Sequence, residues 1–300
     1  MQAKKSFGQH FLNRLDVAED IANSLSRVSE VGQRVLEVGP GQGMLTQYLV
    51  KNKFHLIAVE ADKDMVGVLN KKYTPLSMDG DLGKNGSVKI VFEDFMRFNL
   101  DKAFDNQPFC LIGNFPYNIS SQIIIKMLEH KELIPEMVGM FQKEVADRVI
   151  SKAGSKVYGV ISLLVQAFYD GELLFNVDKS CFTPPPKVQS AVIRLKRKEN
   201  TSLGCDEKLF KTVVKTAFNQ RRKMLRNTMK ALIEDPSVLA DKFFDKRPEQ
   251  LSLADFVALT NQVSTLKVKN WAEKSRFAGC KTAFFQWITN ITQAQRAWIE

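Results

Sequence analysis

The stretch GNFPYNIS, residues 113–120, ends an apolar run with an amide, a proline between two aromatic rings and a second amide. That set of residues suits an exocyclic amine on a flat base. Such an amine is a poor nucleophile because its lone pair is delocalised into the ring. The side-chain oxygen of Asn114 and the backbone carbonyl of Phe115 are two acceptors that can hold its hydrogens. The nitrogen can then pyramidalise and direct its lone pair at an electrophilic methyl group. Pro116 stiffens the turn, and Tyr117 can stack on the base for roughly 1–3 kcal/mol. No general base is required before attack, because the proton leaves from a cationic product. Catalysis of this kind is mostly positioning and hydrogen bonding. The competing explanation is a purely structural turn packed beneath a neighbour.

A second group of residues points to a nucleoside. The run VLEVGPGQGMLT sets Gly39, Gly41 and Gly43 between a strand-like and a helix-like segment. Glycines let the backbone turn sharply and approach a ligand closely. Twenty-one residues after Gly39, Glu60 closes the strand-like HLIAVE, where a carboxylate can accept both ribose hydroxyls. The pairing fits NAD enzymes and S-adenosylmethionine enzymes alike, although G-x-G-x-G is not the dinucleotide spacing. Asp94, in FEDF, can accept the exocyclic amine of an adenine with Phe95 beside the ring; a helix N-cap is the plainer use of such an aspartate.

These residues need a frame that brings strand ends together. Short Val- and Ile-rich runs at 34–39, 55–60, 87–94, 109–114, 136–141, 173–177 and 190–196 read as strands. Several are apolar throughout, as strands covered on both faces should be. Met44 to Lys51, Ser120 to His130 and Lys143 to Lys152 read as helices between them. The alternation predicts an α/β fold with a mostly parallel, doubly wound sheet. The Pro-rich loop KSCFTPPPKVQ permits the last strand to run antiparallel. The sequence divides into a catalytic domain over 1–196, with an N-terminal segment and first helix in 1–30, and a helical domain over 197–263. A tail over 264–300 carries all three tryptophans, Trp271, Trp287 and Trp298. The polar stretch 196–207 is the linker.

Lys and Arg outnumber Asp and Glu by ten in 300 residues, which favours a polyanionic partner. Between Lys208 and Lys230 there are eight basic residues and no acidic one. Arg221, Arg222, Lys223, Arg226 and Lys230 concentrate on what reads as one helix, which can track phosphates; a solvated face is the alternative. The four cysteines and three histidines are scattered, so no metal site and no disulfide framework is expected. The start of the chain lacks the apolar core of a signal peptide. No apolar run is long enough to span a bilayer. A cytoplasmic location is therefore expected, without a membrane partner, and nothing demands more than a monomer.

The blocks KKSFGQHFL, EVGPGQGMLT, GNFPYNISS, FQKEVADRV, FTPPPKVQSAV and AFNQRRKMLRNT together resemble the KsgA family of small-subunit ribosomal RNA adenine dimethyltransferases, over residues 4 to about 263. The resemblance implies a Rossmann-like class I S-adenosylmethionine-dependent methyltransferase sheet with a small C-terminal helical domain. It implies S-adenosyl-L-methionine as cofactor and dimethylation of N6 on two adjacent adenosines in the 3′-terminal hairpin of small-subunit rRNA, within a ribosomal subunit or assembly intermediate. By resemblance, His10 and Leu12 line the cofactor site with Gly39, Gly41, Glu60, Asp94, Phe95 and Asn114. Phe182 is then the second aromatic wall around an extruded adenine, opposite Tyr117; an ordinary loop Phe packed on the triple proline is the alternative. His10 stands where some relatives carry Asn, and Phe115 where relatives have Leu or Pro. Two rivals remain: a large-subunit rRNA methyltransferase of the antibiotic-resistance type, and a non-catalytic ribosome assembly factor. An NAD-dependent oxidoreductase would leave Asn114–Tyr117 and the basic run unexplained.

Overall fold

A computed structural model describes residues 10–77 and 87–277. Most of the block KKSFGQHFL, together with Trp287 and Trp298, lies outside the described residues. The chain divides into two compact units, residues 1–202 and Leu203 onward, within the polar stretch that reads as a linker.

The first unit starts with a two-residue strand, β1 (Phe11–Leu12), and α1 (Leu15–Asn23). There follow β2 (Arg34–Val38), α2 (Thr46–Lys51), β3 (His55–Glu60), α3 (Lys63–Ser77), β4 (Ser87–Phe92), β5 (Cys110–Asn114), α4 (Ser120–Glu129), β6 (Glu136–Gln142), α5 (Lys143–Ile150), α6 (Val160–Phe168), β7 (Tyr169–Val177), β8 (Phe182–Thr183) and β9 (Ser190–Arg197). Seven strands form one sheet in the order β4-β3-β2-β5-β6-β9-β7. The first five in that order are parallel; β9 runs antiparallel to β6 and to β7. The last strand is therefore antiparallel, as expected, but it is inserted beside β6 and leaves β7 at the edge. β7 starts earlier than its apolar residues suggest. Asp170 and Glu172 sit exposed on this edge strand, and such charges conceal a strand from a search for apolar runs while protecting the edge.

The inner strands are apolar because helices cover both faces. Val35, Leu36, Leu111, Ile112, Met137 and Val138 are fully buried. Glu136 is an exception within that core, and it is fully satisfied: it accepts from the backbone N–H of Ser26 and Arg27, both at 2.8 Å, and from the Ser26 hydroxyl at 2.7 Å. That carboxylate ties the loop after α1 to the sheet. The strand order reverses between β2 and β5, so their C-terminal ends open a crevice at a topological switch point, where α/β sheets bind ligands.

The second unit is helical: α7 (Glu207–Phe218), α8 (Leu225–Thr228), α9 (Pro236–Leu239) and α10 (Leu253–Phe277), with short 3-10 turns between them. Phe210, Phe244 and Phe256 form its buried centre. α10 continues to Phe277, past the expected end of this region at Val263. The basic run does not form one helix. Residues 219–223 make a turn, because Met224 is extended and the N–H of Leu225 is held by the Lys246 carbonyl at 2.9 Å. Arg221, Arg222 and Lys223 lie on that turn, whereas Arg226 lies on α8.

Candidate active site

The crevice at the switch point is a cavity of about 320 Å³. Its walls come from His10, Phe11 and Leu12, the glycine turn after β2, Glu60, Asp94 and Phe95, and the corner Asn114–Tyr117. A larger open groove of about 760 Å³ lies at the opposite, N-terminal ends of the strands, lined by Arg34, His55, Ser87 and Gln107, away from Glu60 and the corner at Asn114.

The glycine turn is required by its backbone. Gly39 and Gly41 have φ of +66° and +56°, in the left-handed region that side chains disfavour. The turn is locked to Glu60. One carboxylate oxygen accepts the N–H of Gly41 at 2.9 Å and the other accepts the N–H of Asp62 at 2.9 Å. Burial pushes the Glu60 carboxyl up from its ordinary range, and these two backbone bonds oppose that push. Each oxygen keeps a lone pair for a ligand hydroxyl. Asp94 is exposed, and one of its oxygens accepts the N–H of Met96 at 2.9 Å. Phe95 beside it is buried.

The corner at Asn114 answers why two aromatics flank a proline. The ring of Phe115 is 1% exposed and packs on Phe141, with centroids 5.1 Å apart. It lies over two paired glycines, Gly113 of β5 and Gly139 of β6; a Cβ on Gly139 would run into the ring, and one on Gly113 would come within 2.8 Å of it. Phe115 therefore anchors the turn and leaves its neighbours to face the cavity. The Asn114 amide nitrogen donates to the His10 carbonyl at 3.2 Å, which leaves the side-chain oxygen as the acceptor on the cavity side. The Tyr117 hydroxyl shares a 2.5 Å bond with Ser190 of β9; burial raises its pKa and that bond works the other way. The ring of His10 stacks on Tyr117, with centroids 5.4 Å apart and planes at 28°. Because a carbonyl only accepts, the Nδ1 of His10 donates to Pro184, at 2.8 Å. The N-terminal strap is held further by β1–β8 pairing and by Asn13, whose N–H donates to the Cys181 carbonyl at 2.8 Å.

The structure thus gathers His10, Leu12, Gly39, Gly41, Glu60, Asp94, Phe95, Asn114, Phe115, Pro116 and Tyr117 around one cavity. Phe182 is a correction. It pairs with Leu12 between β8 and β1, its ring is 2% exposed within the hydrophobic core, and it does not line the cavity. The aromatic group lying on Tyr117 is His10 instead. The guanidinium of Arg226 is ion-paired with Asp245 within its own unit and stays partly exposed. Sequence reasoning also passed over Glu37. This carboxyl lines the cavity, is 1% exposed and, among the described residues, accepts only the Thr46 hydroxyl, at 2.8 Å, so burial pushes its pKa up to about 8. The signal was present as a lone acid inside the otherwise apolar VLEV, residues 35–38.

The family model described as ribosomal RNA adenine dimethylase matches residues 1–274. The chain is 51% identical over 264 residues to ribosomal RNA small subunit methyltransferase A of Bacteroides thetaiotaomicron, covering 88% of this chain and 94% of that protein. It is 49% identical over 263 residues to the protein of the same name from Flavobacterium johnsoniae, covering 88% and 96%. Among solved structures, a dimethyladenosine transferase from Plasmodium falciparum superposes with a TM-score of 0.67 at 25% identity, over 85% of this chain and 98% of that one. The fold is also that of the 23S rRNA methyltransferase ErmE, with a TM-score of 0.57 at 21% identity over 84% and 99%. A strand-end line of acceptors, an oriented asparagine amide and a match over nine-tenths of the chain lead to one assignment: the chain belongs to the ribosomal RNA adenine dimethylase family.

Proposed function

We propose that this chain transfers methyl groups from S-adenosylmethionine to N6 of two adjacent adenosines in the 3′-terminal hairpin of small-subunit rRNA, acting as a monomer on a ribosomal subunit or assembly intermediate in the cytoplasm. The observation that carries this reading is the Asn114 amide, turned by the His10 carbonyl so that an acceptor faces the cavity holding Glu60 and Asp94.

The donor set fits the cofactor. Glu60 has a lone pair on each oxygen for the ribose hydroxyls, and the second oxygen of Asp94 accepts an adenine amine with Phe95 beside the ring. S-adenosylmethionine supplies the electrophilic methyl group. The chain's own residues hold the target amine. The Asn114 oxygen and the Phe115 carbonyl take its two hydrogens and return the lone pair to the nitrogen, while Tyr117 supports the base. After the first transfer one N–H remains, so one of the two acceptors suffices to hold it for the second. The ring of His10 rests on one face of Tyr117. Arg222 and Lys223, exposed on the 219–223 turn, with Arg221 beside them, bind RNA phosphates. Replacing one such cation by a neutral residue should reduce the salt slope of binding by about 0.7 for single-stranded RNA.

The test is methyl transfer from labelled cofactor to purified small and large subunits lacking the modification, with the modified nucleosides identified. Dimethyladenosine in small subunits, and none with Asn114→Ala, is the expected result. Transfer to large subunits alone, or no transfer with cofactor bound, would overturn the reading.

A further inference from the structure

Lys126 is 7% exposed in the body of α4, an unusual place for an ammonium group. A buried charge is costly unless it is hydrogen-bonded. Its Nζ donates to the carbonyls of Phe95 at 2.5 Å and Phe98 at 2.6 Å, and lies 4.9 Å from the centre of the Phe95 ring. Both carbonyls belong to the single turn Asp94–Phe98. The Asp94 side chain starts that turn by accepting from Met96, and the Asp94 carbonyl accepts from Arg97 and Phe98, both at 2.9 Å. The last carbonyls of a helical turn lack partners within it, and Lys126 supplies them. Burial pulls its pKa below the ordinary lysine range, while the carboxylates of Asp94, Glu93 and Glu129 oppose that pull.

The other end of α4 belongs to the target-base corner. The helix begins at Ser120, whose hydroxyl donates to the Tyr117 carbonyl at 3.1 Å. One helix is therefore fastened at its start to Tyr117 and, through Lys126, to the turn that carries Asp94. We propose that Lys126 is a positioning residue that sets adenine selectivity in the cofactor site, by locking the Asp94–Phe98 turn onto the helix that follows the Asn114–Tyr117 corner. The proposal rests on the role given above to Asp94.

A lysine that merely supports the fold would weaken every ligand alike. A lysine that positions Asp94 governs one interaction, the acceptor for the adenine amine. S-inosylhomocysteine carries a carbonyl oxygen in place of that amine and a hydrogen on the neighbouring ring nitrogen, and otherwise matches S-adenosylhomocysteine. Calorimetric titration of the full chain with both ligands separates the two roles. The unaltered protein should favour the adenosine ligand by about tenfold or more. Lys126→Met keeps the unbranched stem and removes the donors. It should reduce that preference to below about threefold and raise the KM for S-adenosylmethionine about tenfold, with kcat at saturating cofactor changed by less than about threefold. Lys126→Arg, which retains donors, should recover part of the preference. Parallel weakening of both ligands would overturn the proposal. If the Met variant melts early, Lys126→Gln makes the same comparison. Asp94→Asn is the control. If it leaves the preference intact, the role given to Asp94 is wrong, and Lys126 is then judged by the cofactor KM alone, an unchanged KM in Lys126→Met overturning its role.

Discussion

The two sides of the cavity are built by different means. The side at β2–β4 is local. Gly39, Gly41 and Asp94 follow strands and Glu60 ends one, and the N–H of Gly41 donates directly to the Glu60 carboxylate. The side at Asn114–Tyr117 is assembled from distant parts of the chain. Asn114 depends on His10, Tyr117 on Ser190, His10 on Pro184, and Phe115 on a glycine in the next strand. A nucleoside shared by many enzymes can be held by strand ends alone. Presenting one amine of one base requires an acceptor fixed in direction, and only long-range interactions fix it here.

The difference predicts separable defects. Asn114→Ala removes the cavity-facing acceptor and should lower kcat by about 10²–10³-fold, as loss of a preorganised hydrogen-bonding group does. Cofactor affinity, measured by calorimetry, should change by no more than about threefold, since one hydrogen bond of several is removed. A large loss of affinity would mean that the two sides are not separate. Glu60→Gln is the converse. Its amide nitrogen would face a backbone N–H of Gly41 or Asp62, so a charged acceptor becomes a clash of donors. Cofactor affinity should fall about 10–100-fold, with the loss in KM and little in kcat at saturation.

Gly139→Ala tests whether the second side depends on remote packing. The added methyl group would collide with the Phe115 ring. Overpacking of this kind costs about 1–3 kcal/mol. The melting temperature and kcat should fall together while cofactor affinity holds. A variant with normal kcat would show that Asn114 keeps its place without the ring beneath it.

The same contrast explains what could be read from the sequence. Gly39, Glu60 and Asp94 were legible because each occupies a fixed place in a βα repeat, and the apolar strands between them announce that repeat. Asn114 and Tyr117 were legible from their chemistry. The stacking of His10 on Tyr117 was not, because nothing local shows that residue 10 returns to residue 117 through a two-residue strand. Phe182 was misplaced for a related reason: an aromatic beside three prolines resembles a slot wall, whereas pairing with Leu12 turns it into the core. The ion pair of Arg226 was not legible either, because its partner, Asp245, lies nineteen residues on. In β6, Gly139 gave no sign of its purpose until Phe115 was seen above it.

The smallest effect on turnover should come from Glu37, which lines the cavity just before the glycine turn. Its folded pKa of about 8 lies above the ordinary 4.5. The native state therefore holds a proton that the unfolded chain releases once the pH passes 4.5. Between 4.5 and 8 the unfolded state binds fewer protons, so stability falls as pH rises, and the loss is complete above 8. Glu37→Gln keeps the shape and the Thr46 partner but cannot ionise. The difference in melting temperature between this variant and the unaltered protein, both without cofactor, should grow in the variant's favour from pH 5 to pH 9. Repeating the titration with saturating cofactor sharpens the comparison. A cationic ligand beside Glu37 favours its charged form, so bound cofactor should flatten the difference. A pH dependence identical with and without cofactor would place Glu37 among the structural parts of the turn and leave Glu60 and Asp94 as the carboxylates that meet the ligand.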